Sequence, residues 1–190
     1  MKLLLKDFNF SAFSDSVGWC GFFERNGPFS FEVVEKALSA FHRCFGSSCS
    51  DFFVLSALCI DTAEKDEGIL SHYRQAFSRI EQSGILMPID EEMIAYFAGD
   101  TELPYRYIQF NEHRYIDDLS RLLMAHGNVR GEVWFFVNAT LNVAVYPHSD
   151  TGYGVIGLNG DMKHAQKFLQ FVKSFSEFDT HEGVRRRGLL

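Results

Sequence analysis

An α+β fold is predicted: a single domain with a mostly antiparallel sheet, a C-terminal three-strand meander, and several helices packed against it. Three features predict it. Residues 133–158 read as three consecutive short strands joined by turn residues, and strands that follow one another this way pair antiparallel. Several stretches repeat apolar residues at helical spacing and end at glycine. Phe52 to Ile60 is an almost unbroken apolar run, short enough for a strand and apolar enough to be buried on both faces. A chain of 190 residues suits one large domain. At that size a chain buries roughly 70% of its unfolded surface and needs neither disulfide nor metal to hold together.

In chain order, Lys2–Phe10 and Gly18–Glu24 read as Phe-rich strands. Ser30 caps a helix in which Val34, Leu38, Phe41 and Phe45 share a face, and Gly46 stops it. After the 52–60 strand, a helix is expected over Glu67–Gln82, with Leu70, Tyr73, Phe77 and Ile80 inward and Gly84 past its end. Asp90 opens a short helix whose Glu91 and Glu92 suit the positive end of the helix dipole. Pro104–Phe110 alternates as a strand, and Asn111 is placed to cap a helix carrying Ile116, Leu119, Leu122 and Leu123. The meander strands are Val133–Val137, Asn142–Tyr146 and Gly152–Leu158. Asn159 or Asp161 then caps a helix with Met162, Ala165, Phe168, Leu169, Val172 and Phe175 on one face. The domain is expected to end at 179, with 180–190 a mobile tail lacking any apolar period.

Charge is unevenly spread. Between Asp61 and Arg121 thirteen acids stand against six bases, which accounts for the whole formal charge of −7. Such a field repels nucleic acid and favours a basic partner. The only basic cluster is Arg185–Arg187, without interleaved aromatics. No stretch approaches the roughly 20 apolar residues of a membrane span, and Lys6, Asp7 and Asn9 interrupt any leader-like run. A cytoplasmic protein is therefore expected, with Cys20, Cys44, Cys49 and Cys59 as free thiols. Their spacing matches no zinc pattern, and neither metal nor cofactor is expected.

Several strings imitate catalytic motifs. Asp150-Thr151-Gly152 copies the aspartic-protease triplet, but a single copy at a hairpin position reads as a turn. Gly152, Gly154 and Gly157 satisfy the dinucleotide fingerprint by letter, yet the intervening residues read as a strand rather than a phosphate loop. Trp19-Cys20-Gly21 sits in a strand, and no nucleophile elbow is present. His148 and Asp150, two apart on an extended strand, share a face and could work as an acid–base pair or two metal ligands. A third ligand, His113, His126 or His164, would have to come from the fold.

The order V-W-F-F-V-N (133–138), V-A-V-Y-P (143–147), D-T-G-Y-G-V-I-G (150–157) and an amphipathic helix resembles a family of small bacterial domains of unknown function. W-C-G-F-F-E-R-N-G (19–27), the helix at 31–45 and D-F-F-V-L (51–55) fit the same layout more loosely, so about two-thirds of the chain is covered. The family's turn reads Asp-Asp-Arg-Gly where this chain has Ser149-Asp150-Thr151-Gly152, so any role of that arginine does not transfer. Domains of this kind are linked to toxin–immunity loci, including contact-dependent growth inhibition. The resemblance thus implies an immunity protein, not an enzyme, that binds one cognate toxin domain, a basic nuclease, and is a monomer or forms a 1:1 complex. The residues expected to meet it are Glu64, Asp66, Glu67, Asp90, Glu91 and Glu92, with exposed aromatics as anchors. The rivals are a small hydrolase or metal-dependent enzyme centred on His148 and Asp150, and a structural or adaptor domain.

Overall fold

The computed structural model describes residues 7–10, 12–61, 66–103 and 105–183. A short 3-10 turn at Phe13–Asp15 leads into β1 (Trp19–Arg25). Helix α1 (Phe31–Phe45) follows, and the Ser30 side chain accepts the Val33 N–H at its start as expected. The apolar run becomes β2 (Phe53–Ile60). The expected 67–82 helix is two pieces, α2 (Glu67–His72) and α3 (Arg74–Gln82), broken where Tyr73 leaves helical geometry. Buried Tyr73 packs edge-on against Phe31, so the break serves the core. Then come β3 (Leu86–Met87), α4 (Glu91–Ala98), β4 (Gln109–Glu112), α5 (Ile116–Met124), β5 (Val129–Asn138), β6 (Val143–His148), β7 (Gly152–Gly157), α6 (Lys163–Val172) and β8 (Phe178–Glu182).

The strands form one sheet in the order β3-β2-β5-β6-β7-β1-β8, with β4 also paired to β2. Among the described residues every pairing is antiparallel except β2 with β3. The result is a single α+β domain. Alternation along the strands divides the core in two. Val54, Phe136, Val143, Val145 and Val155 face a layer built from α1, α3, α5 and α6. Leu55, Phe135, Val137, Ala144 and Ile156 face the opposite way, towards Phe8, Tyr107 and Met93 of α4. β2 is therefore buried on both faces, as its apolar run requires.

Several expectations are corrected. Residues 105–107 form a 3-10 turn and the strand lies later, at 109–112, so Asn111 pairs with Val54 instead of capping a helix. Tyr107 is drawn out of strand alternation by its hydroxyl, which donates to Asp90 Oδ2 (2.7 Å). Residues 2–6 of the expected first strand lie outside the described residues. Phe8 and Phe10 are not in a strand but lie over Phe135, at ring distances of 4.8 and 6.1 Å. The expected tail begins too early: residues 180–182 belong to β8, an edge strand along β1 from Arg25↔Phe178 to Gly21↔Glu182. Only Phe178 of β8 is buried, and its charged residues blunt an exposed edge, which hides it from an apolar pattern. Residues 184–190, with Arg185–Arg187, lie outside the described residues.

No disulfide joins any of the four cysteines. Burial pushes Cys44, Cys49 and Cys59 above the ordinary thiol range, Cys49 to about 11. Thiol titration without reductant is expected to find four reactive groups in denaturant and slow reaction in the folded protein. Two or fewer in denaturant would show disulfides.

Candidate functional site

On the sheet face opposite α1 and α6, the strands β6, β7 and β1 leave an aromatic groove of about 730 Å³. Glycine makes room for it. Gly154 stands opposite Tyr146 in the β6–β7 pairing, and a Cβ there would come within 1.9 Å of the tyrosine ring. The Tyr146 ring therefore lies across β7, where its hydroxyl accepts the Trp19 indole N–H (2.9 Å). Trp134 of β5 donates its indole N–H to the Pro147 carbonyl (2.6 Å). Phe13 packs edge-on against both Trp134 (5.2 Å) and Tyr146 (4.8 Å). Phe22 of β1 stacks on His181 (4.7 Å) and meets His148 edge-on (5.6 Å). Phe10, Phe13, Trp19, Phe22, Trp134 and Tyr146 line the groove together with His148 and Asp150.

The last two are the pair singled out by spacing, and the structure does bring them to this cavity. The three residues 149–151 form the β6–β7 turn, with Thr151 N–H bonded to the His148 carbonyl (3.1 Å) and Thr151 at φ 59. A β-branched residue in that region is strained, and Arg25 holds it by donating to Thr151 Oγ1 (2.9 Å). Asp150 is thus a turn residue, as expected for a hairpin of this length. Its carboxylate is 66% exposed and lies 4.0 Å from His148 Nδ1. His148 Nε2 is 3.0 Å from the Phe23 carbonyl, which can only accept, so Nε2 carries the proton. Burial lowers the His148 pKa and favours the neutral ring, against the opposing pull of Asp150. One ring nitrogen is committed to the main chain and the other faces a carboxylate. The pair is therefore not arranged like a nucleophile–base–orienter chain, in which the second nitrogen is left for the nucleophile. No third ligand joins them: His113 lines a different cavity, and no group of three His, Cys, Asp or Glu suited to a metal occurs among the described residues.

The acidic candidates do not form one patch. Asp66 caps α2, accepting from the Gly68 and Ile69 N–H groups (2.9 and 3.1 Å), with Glu67 exposed beside it. This helix packs through Ile69 on the α1 side of the sheet. Asp90 caps α4, accepting from Met93 N–H (2.9 Å) and from the Tyr107 hydroxyl, and these bonds hold its carboxyl below the usual range. Glu92 is paired with Arg106, and Glu91 is exposed. Helix α4 packs through Met93 on the opposite sheet face, the face of the groove. Glu64 lies outside the described residues.

Sequence reasoning missed a second polar cluster, drawn from α1, α3 and α5 around a cavity of about 330 Å³. Arg79 grips Asp118 through two bonds of 2.7 Å, Arg121 grips Glu35 through two of 2.8 Å, and His42 Nε2 sits 2.8 Å from Asp117. Each of these basic side chains meets a carboxylate from another helix, so the cluster clamps the helical layer. Arg79→Met leaves the Asp118 side chain, 7% exposed, with Arg121 at 3.7 Å as its nearest cation. The expected cost is about 2 kcal/mol, a fall in Tm of about 4–8 °C. The Arg121 bonds lower the Glu35 pKa below 4.5. The stability this carboxylate contributes is therefore complete above pH 4.5 and is lost as pH falls through its depressed folded value. Arg121→Met should shrink that acid-side loss.

Among the described residues no helix is long and apolar enough to cross a membrane. Compared with protein-family models, with curated proteins and with solved structures, the chain matches none.

Proposed function

We propose that this chain is a cytoplasmic immunity protein that binds a cognate toxin domain and blocks it, using the aromatic groove as its anchor site. The observation that carries the reading is the groove itself, an open cavity lined by six aromatic side chains, both tryptophans of the chain among them. Aromatic anchors in a concave site are what a tight protein interface is built on. Both indole N–H groups are already bonded inside the molecule, so a partner meets the rings rather than unpaired donors. The commitment of His148 Nε2 to the main chain supports binding over acid–base work at the same place. The formal charge of −7 favours a basic toxin, such as a nuclease, through electrostatic steering.

The test is association with the product of the neighbouring gene, followed by tryptophan emission and by kinetics at about 50 and 300 mM salt. Between those salts the Debye length shortens from roughly 14 to 6 Å, which removes long-range steering. A dissociation constant below about 0.1 µM is expected at the lower salt. No binding at either salt, with both proteins folded, overturns the reading.

A further inference from the structure

The groove has a chemical bias beyond being apolar. The indole N–H groups of Trp19 and Trp134 are spent on internal hydrogen bonds, so what these indoles have left to offer a partner is their π faces. Those faces are electron-rich and attract cations, tryptophan most strongly. Beside them stands the exposed carboxylate of Asp150. Its ion-pair neighbour among the described residues is His148, which burial disposes to the neutral form, so the carboxylate charge is left uncancelled there. Arg25 reaches this turn across from β1, but its guanidinium is turned to Thr151 Oγ1 (2.9 Å) and the Ser149 carbonyl (3.3 Å). An anion entering the groove would meet this carboxylate, and a purely apolar side chain would strip water from it without giving it a partner.

We propose that the groove receives a cationic side chain, arginine or lysine, of the protein partner, stacked against the aromatic walls and paired with the Asp150 carboxylate. This rests on the reading that the groove docks a protein. Arginine fits best, since a planar guanidinium can stack on a ring and still present N–H donors edgewise to a carboxylate. The partner class is therefore a basic surface with an arginine projecting from it. The bias has the same sign as the net charge of the whole chain, so the field that draws the partner in and the site that seats it select alike.

The test uses the intact protein and three small probes: N-acetyl-arginine amide, its neutral isostere N-acetyl-citrulline amide, and N-acetyl-norleucine amide. Both tryptophans of the chain line the groove, so tryptophan emission reports on this cavity. Saturable binding of the arginine probe in the millimolar range is expected, with citrulline and norleucine at least about 5-fold weaker. Asp150→Asn should weaken the arginine probe by about 3–10-fold and leave citrulline unchanged. Equal binding of arginine and citrulline, or no saturable change up to about 100 mM probe, overturns the proposal. The citrulline comparison is made on the unaltered protein, so a loosened turn in Asp150→Asn does not decide it. If the neighbouring gene product binds while the arginine probe does not, the cation site falls and the docking reading stands. If the probe binds and the gene product does not, the reverse holds.

Discussion

Gly152→Ala is expected to cost about 3 kcal/mol and to lower Tm by about 6–12 °C. A Cβ at this position would lie 1.8 Å from the Phe23 carbonyl oxygen and 3.1 Å from Glu24 Cα, both main chain of β1. Neither can swing aside as a side chain would, so relief requires β1 and β7 to part. Those strands are paired through Phe23↔Tyr153, and both side chains are fully buried in the aromatic core. Separating them therefore disturbs packing well beyond the substitution. Gly27→Ala is the control: nothing lies within 4 Å of its added carbon, and its change should stay within about 0.5 kcal/mol. Gly154→Ala is an intermediate case, because there the clash is with the Tyr146 ring, which can move. It should shift tryptophan emission by breaking the Trp19–Tyr146 bond more than it shifts Tm. Thermal melts of the three variants give the comparison, and a Gly152→Ala protein as stable as Gly27→Ala would contradict the β1–β7 register.

The same glycines show why a motif can match by letter and mislead. Gly152, Gly154 and Gly157 satisfy a phosphate-loop spacing, but each is small because β1, Tyr146 or the Asp161 carbonyl passes close by. What was legible in the sequence is what is local. Ser30 with Val34, Leu38, Phe41 and Phe45 carries its own cap and its own period, and α1 follows it. The 52–60 run announces a doubly buried strand, and the meander announces its turns. β4 and β8 were misplaced or missed because edge strands of mostly polar residues have no apolar alternation to read. The groove was illegible for a different reason. Its rings come from Phe10, the 13–15 turn, β1, β5 and β6, and only the sheet order β5-β6-β7-β1 brings the strand residues together. His148 and Asp150 were visible because they lie two apart in the chain, which is a local fact, although the structure puts His148 at the end of β6 and Asp150 in the turn that follows. The acidic stretch misled in the opposite sense. Asp66 and Asp90 are close in sequence, but the chain crosses the sheet edge at β3 between α2 and α4, which carries their helices to opposite faces.

That division yields the second large effect, on partner binding. If the chain binds a toxin domain as proposed, Trp134→Ala and Phe22→Ala are each expected to weaken that complex by about 30-fold or more, chiefly through faster dissociation. Removing a ring from the groove takes away contact area that a partner side chain would fill, and such anchors carry about 2 kcal/mol or more each. The charged residues should act on the other rate. Asp90 and Glu92 are poor reporters, since each is bonded within the fold and reversing it would loosen α4. Glu91 and Glu67 are exposed, and they sit on helices on opposite faces of the sheet. If the groove is the contact, Glu91→Lys, on the groove face, should slow association by a few-fold at low salt and hardly at all at high salt. Glu67→Lys should leave the association rate nearly unchanged. Melting curves of all four variants separate lost contact from lost folding. Slower association with Glu67→Lys and unaltered binding with Trp134→Ala would move the interface to the helical face, around α2 and the Arg79–Asp118 clamp. Both groove variants failing to change dissociation, with tight binding retained, would remove the groove from the interface whatever the partner proves to be.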